Sequence, residues 1–576
     1  MKKLNETENK EEAKLFLMEE REQMEQQETR PSDLPFWLCG DGDPLLQRYH
    51  EHRSTAALPE EAETVIIGGG LAGLSTAYWM KRLGFQRIVL VEQRGLCEGA
   101  TGRNGGHQWP LIPTPSEEWL QQHGHEELLR IIHFDRENCS LMRSFITASQ
   151  TNDSEAKQRY IDFGCDLVEN GGLEIPFFSD EVSQLEEHLK IASDLLKELR
   201  EQKKLTTAIS SATEREGEDF EWWDVDKCVG ELLLRKGKVK GGLYYRPVAS
   251  FWPTKFVFAL TDELLASENE DEDARVNIQT HTEVLRVTKG KKTTSTNEEG
   301  EEEEKMSFEV ETSRGVIRAR AVVYATNAWT TQLLPSLKNF MTHYRGQILL
   351  LAPCHDENDI KETGKAEKEE KMEYYRWPYN LSFNDGYEYM IQRKDGRIVV
   401  GGRRWISPTM EEDTLNDSVY NVAISNSLKI FVKSVFPITI VGEEEEASDD
   451  DEHEDEQEGK LRFKVERQWT GIMGQTNDDF PLLGPLSFER TNRKEDSMKE
   501  EKKDEEDLQA SLYRNSNSKR KVPNGEYVIA GFCGDGMSRC FAAGKRLAES
   551  MCCEDRVGRI PRAFLPQRAF SSVSAS

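Results

Sequence analysis

The clearest pattern in the chain begins near Glu63. Thr64-Val65-Ile66-Ile67 is short, β-branched and followed by glycine, which predicts a buried strand. A helical pattern runs from Leu71 to Leu83 and stops at Gly84. Ile88-Val89-Leu90-Val91 predicts the next strand, ending at Glu92. This strand–helix–strand stretch is about thirty residues long, the size of one βαβ unit. Further on, Glu117–Gln150 and Glu181–Gln202 carry helical periodicity, and Val276–Val287 and Phe308–Tyr324 predict strands. Tyr387–Val400 predicts a hairpin turning at Asp395-Gly396. Tyr527–Ala530 predicts a last buried strand, and Met537–Ser550 a last helix.

These elements predict an α/β fold: a Rossmann-type nucleotide-binding domain joined to an α+β part built on a mainly antiparallel sheet. The first domain is expected to be discontinuous, from 61–115, 250–345 and 525–556. The second part is expected from 116–249 and 346–490. Residues 1–60 read as a polar extension followed by an arm with Pro31, Pro35, Pro44 and Pro59.

Charge changes the picture in places. Hydrophobic residues make up 37% of the chain, charged residues 31%, and the net charge is -30. Glu443–Glu458 holds twelve acidic residues and Glu298–Glu304 six more. Such blocks repel themselves and bury no apolar area, so 443–460 and 493–520 read as disordered charged insertions, with 355–373 a third excursion. An acidic chain lacks the cationic face that nucleic acid requires. No stretch approaches the ~20 apolar residues of a membrane span. Met1–Arg30 does not resemble a secretory signal, and the final Ser574-Ala575-Ser576 is not a peroxisomal address, so a cytoplasmic location is expected. The ten cysteines show no Cys-x-x-Cys and no spacing with histidine, so neither a metal site nor a disulfide framework is expected. The expected partner is a small-molecule substrate; oligomeric state is not legible.

Gly68-Gly69-Gly70-Leu71-Ala72-Gly73 fits G-x-G-x-x-G and sits after a strand and at the opening of a helix. Gly68 permits the tight turn, Gly70 lets the backbone approach a pyrophosphate, and Gly73 lets helix and strand pack closely. The helix start offers free N–H groups to phosphates, with Leu71 and Ala72 at its opening. Glu92, nineteen residues beyond Gly73, can accept hydrogen bonds from ribose hydroxyls and disfavours a 2′-phosphate. A second bare stretch, Thr101-Gly102-Arg103-Asn104-Gly105-Gly106-His107, can lie close against a ligand.

Four segments together resemble the FAD-dependent oxidoreductase family of D-amino-acid oxidase, glycine oxidase and sarcosine oxidase. They are Val65–Glu92, Gly99–Gly106, Ala325-Thr326-Asn327-Ala328-Trp329 and Ala530–Met537. Tyr344-Arg345-Gly346-Gln347, Trp469–Gly474 and Pro481–Gly484 resemble it as well. The Gly102–Gly106 form is most similar to the γ-glutamylputrescine oxidase-like branch. The resemblance implies FAD as cofactor. It implies that Gly68, Gly70, Gly73 and Glu92 hold the ADP half and that Thr101–Gly106 runs from pyrophosphate to flavin ring. Val284 would contact the adenine side, and Gly471 would lie near the flavin. Gly534, Asp535, Gly536 and Met537 would start a helix near the flavin pyrimidine. The acid Asp535 departs from the family, whose members often carry histidine there.

The resemblance also implies hydride transfer to flavin from the carbon beside an amine, with oxygen as acceptor. A non-oxygen acceptor, or a flavin-bound scaffold, is the alternative. On the substrate side, Trp469, Trp405 and His107 are candidates for the pocket wall. Arg345 could clamp a carboxylate or equally hold a structural ion pair, and Arg393, Arg403 and Arg404 carry the same ambiguity.

Overall fold

The structure is a computed structural model. It describes residues 28–110, 117–147, 165–206, 220–266, 275–290, 294–296, 302–304, 308–354, 376–384, 386–441, 461–487, 520, 522–552, 557 and 559–571. The acidic insertion 443–460, the stretches 355–373 and 493–519, and residues 1–27 lie outside the described residues.

Two large sheets organise the chain. The first has eight strands. Its parallel core runs Gly525–Ala530, Gly315–Tyr324, Glu61–Ile67, Ile88–Val91, Asn277–Gln279. Such strands are covered on both faces, which is why they read as unbroken apolar runs. The helices Leu71–Arg82, Pro253–Leu265 and Gly536–Cys552 pack together beside it. The first half of Gly315–Tyr324 also joins Val284–Lys289 and Phe308–Thr312 in an antiparallel meander. The expected strand Val276–Val287 is therefore two strands, broken at Thr280–Glu283, where the chain leaves the parallel core for the meander.

The second sheet has nine strands, ordered Ile438–Val441, Leu461–Thr476, Met341–Pro353, Ile398–Gly402, Glu388–Gln392, Asn380–Phe383, Gly172–Ile175, Gly242–Tyr245, Phe220–Trp223. Its pairings are antiparallel except for two. One face buries Leu349, Leu351, Met390 and Val400 under the helix Val422–Val435. The other faces the first domain.

Two features depart from expectation. Leu482–Pro485 pairs with Gly525–Ala530, so it belongs to the first sheet although it lies within 346–490. The arm before residue 60 is also more than a polar extension. Thr29–Pro31 pairs with Val419–Asn421, and Phe36, Trp37 and Leu38 are buried. The Trp37 indole N–H donates to Asn104 O at 2.6 Å, and the Trp252 indole donates to Trp37 O at 2.9 Å. The arm thus seals the back of the second glycine loop.

Candidate cofactor and substrate site

One cavity of about 930 Å³ runs between the two sheets. At one end it is lined by Gly68, Gly70, Leu71, Ala72 and Glu92, and by Thr282–Leu285, including Val284. The glycines there are required by geometry. Gly68 has φ +115, and a Cβ on it would sit 2.4 Å from Ala325 O. A Cβ on Gly73 would sit 2.0 Å from Gly68 O, so this glycine lets the helix press on the turn without itself lining the cavity. Thr101 Oγ1 accepts from Leu71 N–H at 2.9 Å, which ties the two glycine-rich segments together at the helix start.

Glu92 is buried, and its carboxylate accepts from Gly69 N–H at 2.6 Å and Arg94 N–H at 2.9 Å. Burial pushes its pKa up, against the pull of those two N–H groups. A carboxylate held this way on the cavity wall keeps further lone pairs for hydroxyl donors. These residues fit the pyrophosphate and ribose of a dinucleotide, with an N–H-rich helix end and an acceptor where each is needed.

Farther in, the wall becomes bare. Gly346 and Gly471 are paired across neighbouring strands, and both line the cavity. A Cβ on Gly471 would stand 2.9 Å from Arg103 Cβ. Arg103 is fixed by its carbonyl contacts, Nε to Glu98 O at 2.6 Å and Nη1 to Thr470 O at 3.0 Å, and by Asp417 at 3.2 Å. Asn104 Oδ1 accepts from Gly106 N–H at 2.8 Å and holds the loop in shape. Gly102 and Gly106 do not line the cavity. They accommodate Leu38 and Trp37 of the arm behind the loop.

A second helix start closes this end. Gly534, Asp535, Gly536 and Met537 line the cavity where the helix Gly536–Cys552 begins. Gly534 has φ +94, so the turn suits glycine. Met537 O accepts from Gln108 Nε2 at 3.4 Å and Asn138 Nδ2 at 3.1 Å, which sets this start beside His107.

The far chamber is built by register. Glu174 lies opposite Ser382, Ser382 opposite Tyr389, Tyr389 opposite Gly401, and Gly401 opposite Ile348. Glu174, Ser382, Tyr389 and Ile348 all line the cavity. The Tyr389 ring lies between two glycines: a Cβ on Gly401 would fall 2.5 Å from Cζ, and one on Gly105 2.6 Å from Cε2. His107 meets Tyr389 edge-on at 5.2 Å, and Trp109 meets Tyr245 at 4.9 Å. Burial pushes the His107 imidazole down to about 3, opposed by the Asn380 amide. Neither His107 Nε2 nor Asn380 Oδ1 makes a well-formed hydrogen bond. Burial raises Tyr389 to about 12, opposed by Arg404. Arg404 lines the chamber with its guanidinium 4.6 Å over the Tyr344 ring.

Several candidates fall elsewhere. Trp469 follows Ile348 in the same row, but it is 0% exposed and does not line the cavity. Its indole N–H donates to Arg103 O at 3.0 Å, because the glycine loop crosses over that end of the row. Arg345 points to the face opposite its neighbour Gly346 and is buried on Glu411, Nε to Oε2 at 2.6 Å, with Nη1 on Asn416 O at 3.1 Å. It is a structural ion pair, not a clamp. Trp405 donates to Glu388 at 2.9 Å outside the cavity, Arg403 covers Trp405 and Phe431, and Arg393 lies over Phe36 and Trp252. Glu174, Tyr245, Ser382 and Tyr389 were not singled out from the sequence. The one available signal was Gly401 inside a strand pattern, which marks a close approach by another group.

Among the described residues, no cluster of His, Cys, Asp or Glu could hold a metal ion, and no helix is long and apolar enough to cross a membrane.

Residues 63–550 match the family described as FAD dependent oxidoreductase, known as DAO. The chain belongs to that family. FAD is accordingly its cofactor, and the dinucleotide cradle fits it. Solved structures agree on the fold: L-proline dehydrogenase from P. horikoshii superposes with a TM-score of 0.53 at 16% identity, over 89% of this chain and 99% of that one. Glycine oxidase from Geobacillus kaustophilus gives 0.52 at 14%, over 86% and 95%. L-amino acid deaminase from Proteus vulgaris gives 0.52 at 15%, over 92% and 100%. Curated relatives match over short stretches. Human mitochondrial sarcosine dehydrogenase is 39% identical over 66 residues, 12% of this chain and 7% of that protein. The mouse pyruvate dehydrogenase phosphatase regulatory subunit is 51% identical over 45 residues, 8% and 5%. The chain thus aligns with less than a tenth of the length of these two relatives.

Proposed function

We propose that this FAD-dependent oxidoreductase oxidises the carbon–nitrogen bond of a small amine or amino acid, with oxygen as acceptor. The observation that carries this reading is the continuous cavity joining the dinucleotide cradle to an aromatic chamber lined by His107, Trp109, Tyr245 and Tyr389. FAD, when bound, supplies a two-electron acceptor for hydride. The amides at the start of Leu71–Arg82 would hold its pyrophosphate and Glu92 its ribose, and the bare Gly346–Gly471 strip leaves room for its ring.

On the substrate side, the chamber favours an uncharged amine, because a buried site disfavours the ammonium form. His107, held neutral by burial, adds no positive charge to the chamber wall. Arg404 offers a planar cation for a substrate carboxylate. The Gly102–Gly106 form favours the γ-glutamylputrescine oxidase-like branch. Several similar proteins are named dehydrogenases, which supports a non-oxygen acceptor as the second reading.

The test is anaerobic addition of amines and amino acids to the yellow protein, followed by admission of air. Bleaching by one amine class, then peroxide on reoxidation, is the expected result. Bleaching without peroxide would favour the second acceptor. A flavin that no amine bleaches would overturn the amine reading.

A further inference from the structure

Asp535 stands alone between Gly534 and Gly536 on the cavity wall, at the start of Gly536–Cys552. Its side chain is 40% exposed and the residue lines the cavity; Oδ2 lies 3.1 Å from Arg539 Nη1, one helical turn on. Arg539 is fully buried and is shared with a second acid: Nε to Asp135 Oδ1 at 3.0 Å and Nη2 to Oδ2 at 3.3 Å. Phe480 and Phe564 lie 6.0 and 5.7 Å from that guanidinium. One buried cation therefore serves two carboxylates. Asp135 is 1% exposed and bidentate, so it has the stronger claim.

The charged and titratable groups facing Asp535 are Arg539 on its own helix, Asp135 on the helix His125–Thr147, and Asp479 and Cys533 on the flanking loops. With both aspartates ionised, the triad carries one net negative charge beside the cofactor cavity. A helix start normally favours an added anion at this place, and the triad's negative charge works against that. Desolvation by the enclosing cavity walls raises Asp535 to about 6 despite Arg539, and Asp135 and Asp479 push the same way.

We propose that Asp535 balances charge for the bound flavin, taking up a proton from solvent when the cofactor gains two electrons and releasing it on reoxidation. This rests on FAD as the cofactor in this cavity. The hydride from substrate carries two electrons and its own hydrogen. The second proton comes from water and ends on an Asp535 carboxylate oxygen, so the triad goes from one negative charge to none. Protonation of Asp535 removes the repulsion that the triad's own negative charge would otherwise exert on a reduced, negatively charged ring.

The test is the midpoint potential of the holoprotein from pH 5 to 9. Uptake of one proton per electron pair lowers the potential by about 30 mV per pH unit. Uptake at Asp535 adds a second proton and doubles that slope in a window opening near pH 6 and closing at the higher pKa of the reduced protein. Asp535→Asn is expected to keep the single-proton slope throughout. It should also lack the protonated-carboxyl infrared band that appears on reduction of the parent. A single slope in the parent from pH 5 to 9 overturns the proposal even if the variant fails to fold. So does a doubled slope that survives Asp535→Asn. A folded protein that refuses FAD would overturn the cofactor assignment and this proposal together.

Discussion

Gly73→Ala is the sharpest perturbation of the cofactor cradle. The new Cβ would lie 2.0 Å from Gly68 O and 3.5 Å from the Ala325 Cβ. The first neighbour is backbone, on a residue at φ +115 that cannot simply rotate away. A carbon and an oxygen need more than 3 Å, so the helix Leu71–Arg82 must move outward by about 1 Å or the turn must deform. Overpacking of this kind costs about 1–3 kcal/mol. The displacement also carries the amides of Leu71 and Ala72 away from the phosphate position. Since 1.4 kcal/mol is about tenfold in an equilibrium constant, FAD affinity should fall by roughly 5- to 150-fold. Titration of apoprotein with FAD, followed by flavin fluorescence, measures it. Gly230→Ala is the control, because nothing lies within 4 Å of its Cβ position on an isolated helix face. It should leave affinity unchanged. Parent-like FAD affinity and melting temperature in Gly73→Ala would refute the close-packing role.

Arg345→Ala should destabilise the fold by about 3–5 kcal/mol, seen in chemical denaturation, because it strands the buried Glu411 carboxylate; an effect on substrate KM with unchanged stability would restore the clamp reading. Trp37→Ala should cost about 3–5 kcal/mol and weaken FAD binding together, since the indole supports Asn104 O in the glycine loop; loss of neither would show the arm to be dispensable. His107 should stay neutral from pH 5 to 9 by histidine NMR. With a folded pKa depressed to about 3, the stability it contributes is full above the unfolded value near 6.5 and is lost as pH falls from there toward 3; an imidazole titrating near 6.5 would contradict its burial.

The local patterns were enough to read the βαβ unit, the tight packing at the fingerprint glycines, the place of Glu92 at the end of the second strand, the hairpin at Asp395-Gly396 and the long helix Gly536–Cys552. All of these depend on residues within about thirty positions of one another, where periodicity, φ preference and chain reach carry the information. The far chamber was not legible in the same way. Glu174, Ser382, Tyr389 and Ile348 face one cavity only because four strands from distant parts of the chain pair in one register. Shifting any of those strands by one residue would turn its side chain to the opposite face.

Trp469 and Arg345 show the same limit from the other side. Arg345 adjoins Gly346 and Trp469 lies two residues before Gly471, both cavity-lining glycines, yet strand alternation turns Arg345 onto Glu411 and the crossing glycine loop buries Trp469. The sequence by itself determined the glycine-rich strand–turn–helix unit proposed to cradle the cofactor, because such a turn is a local object. Tertiary structure alone decided which side chains line the far chamber, because a chamber wall is a product of long-range register and packing.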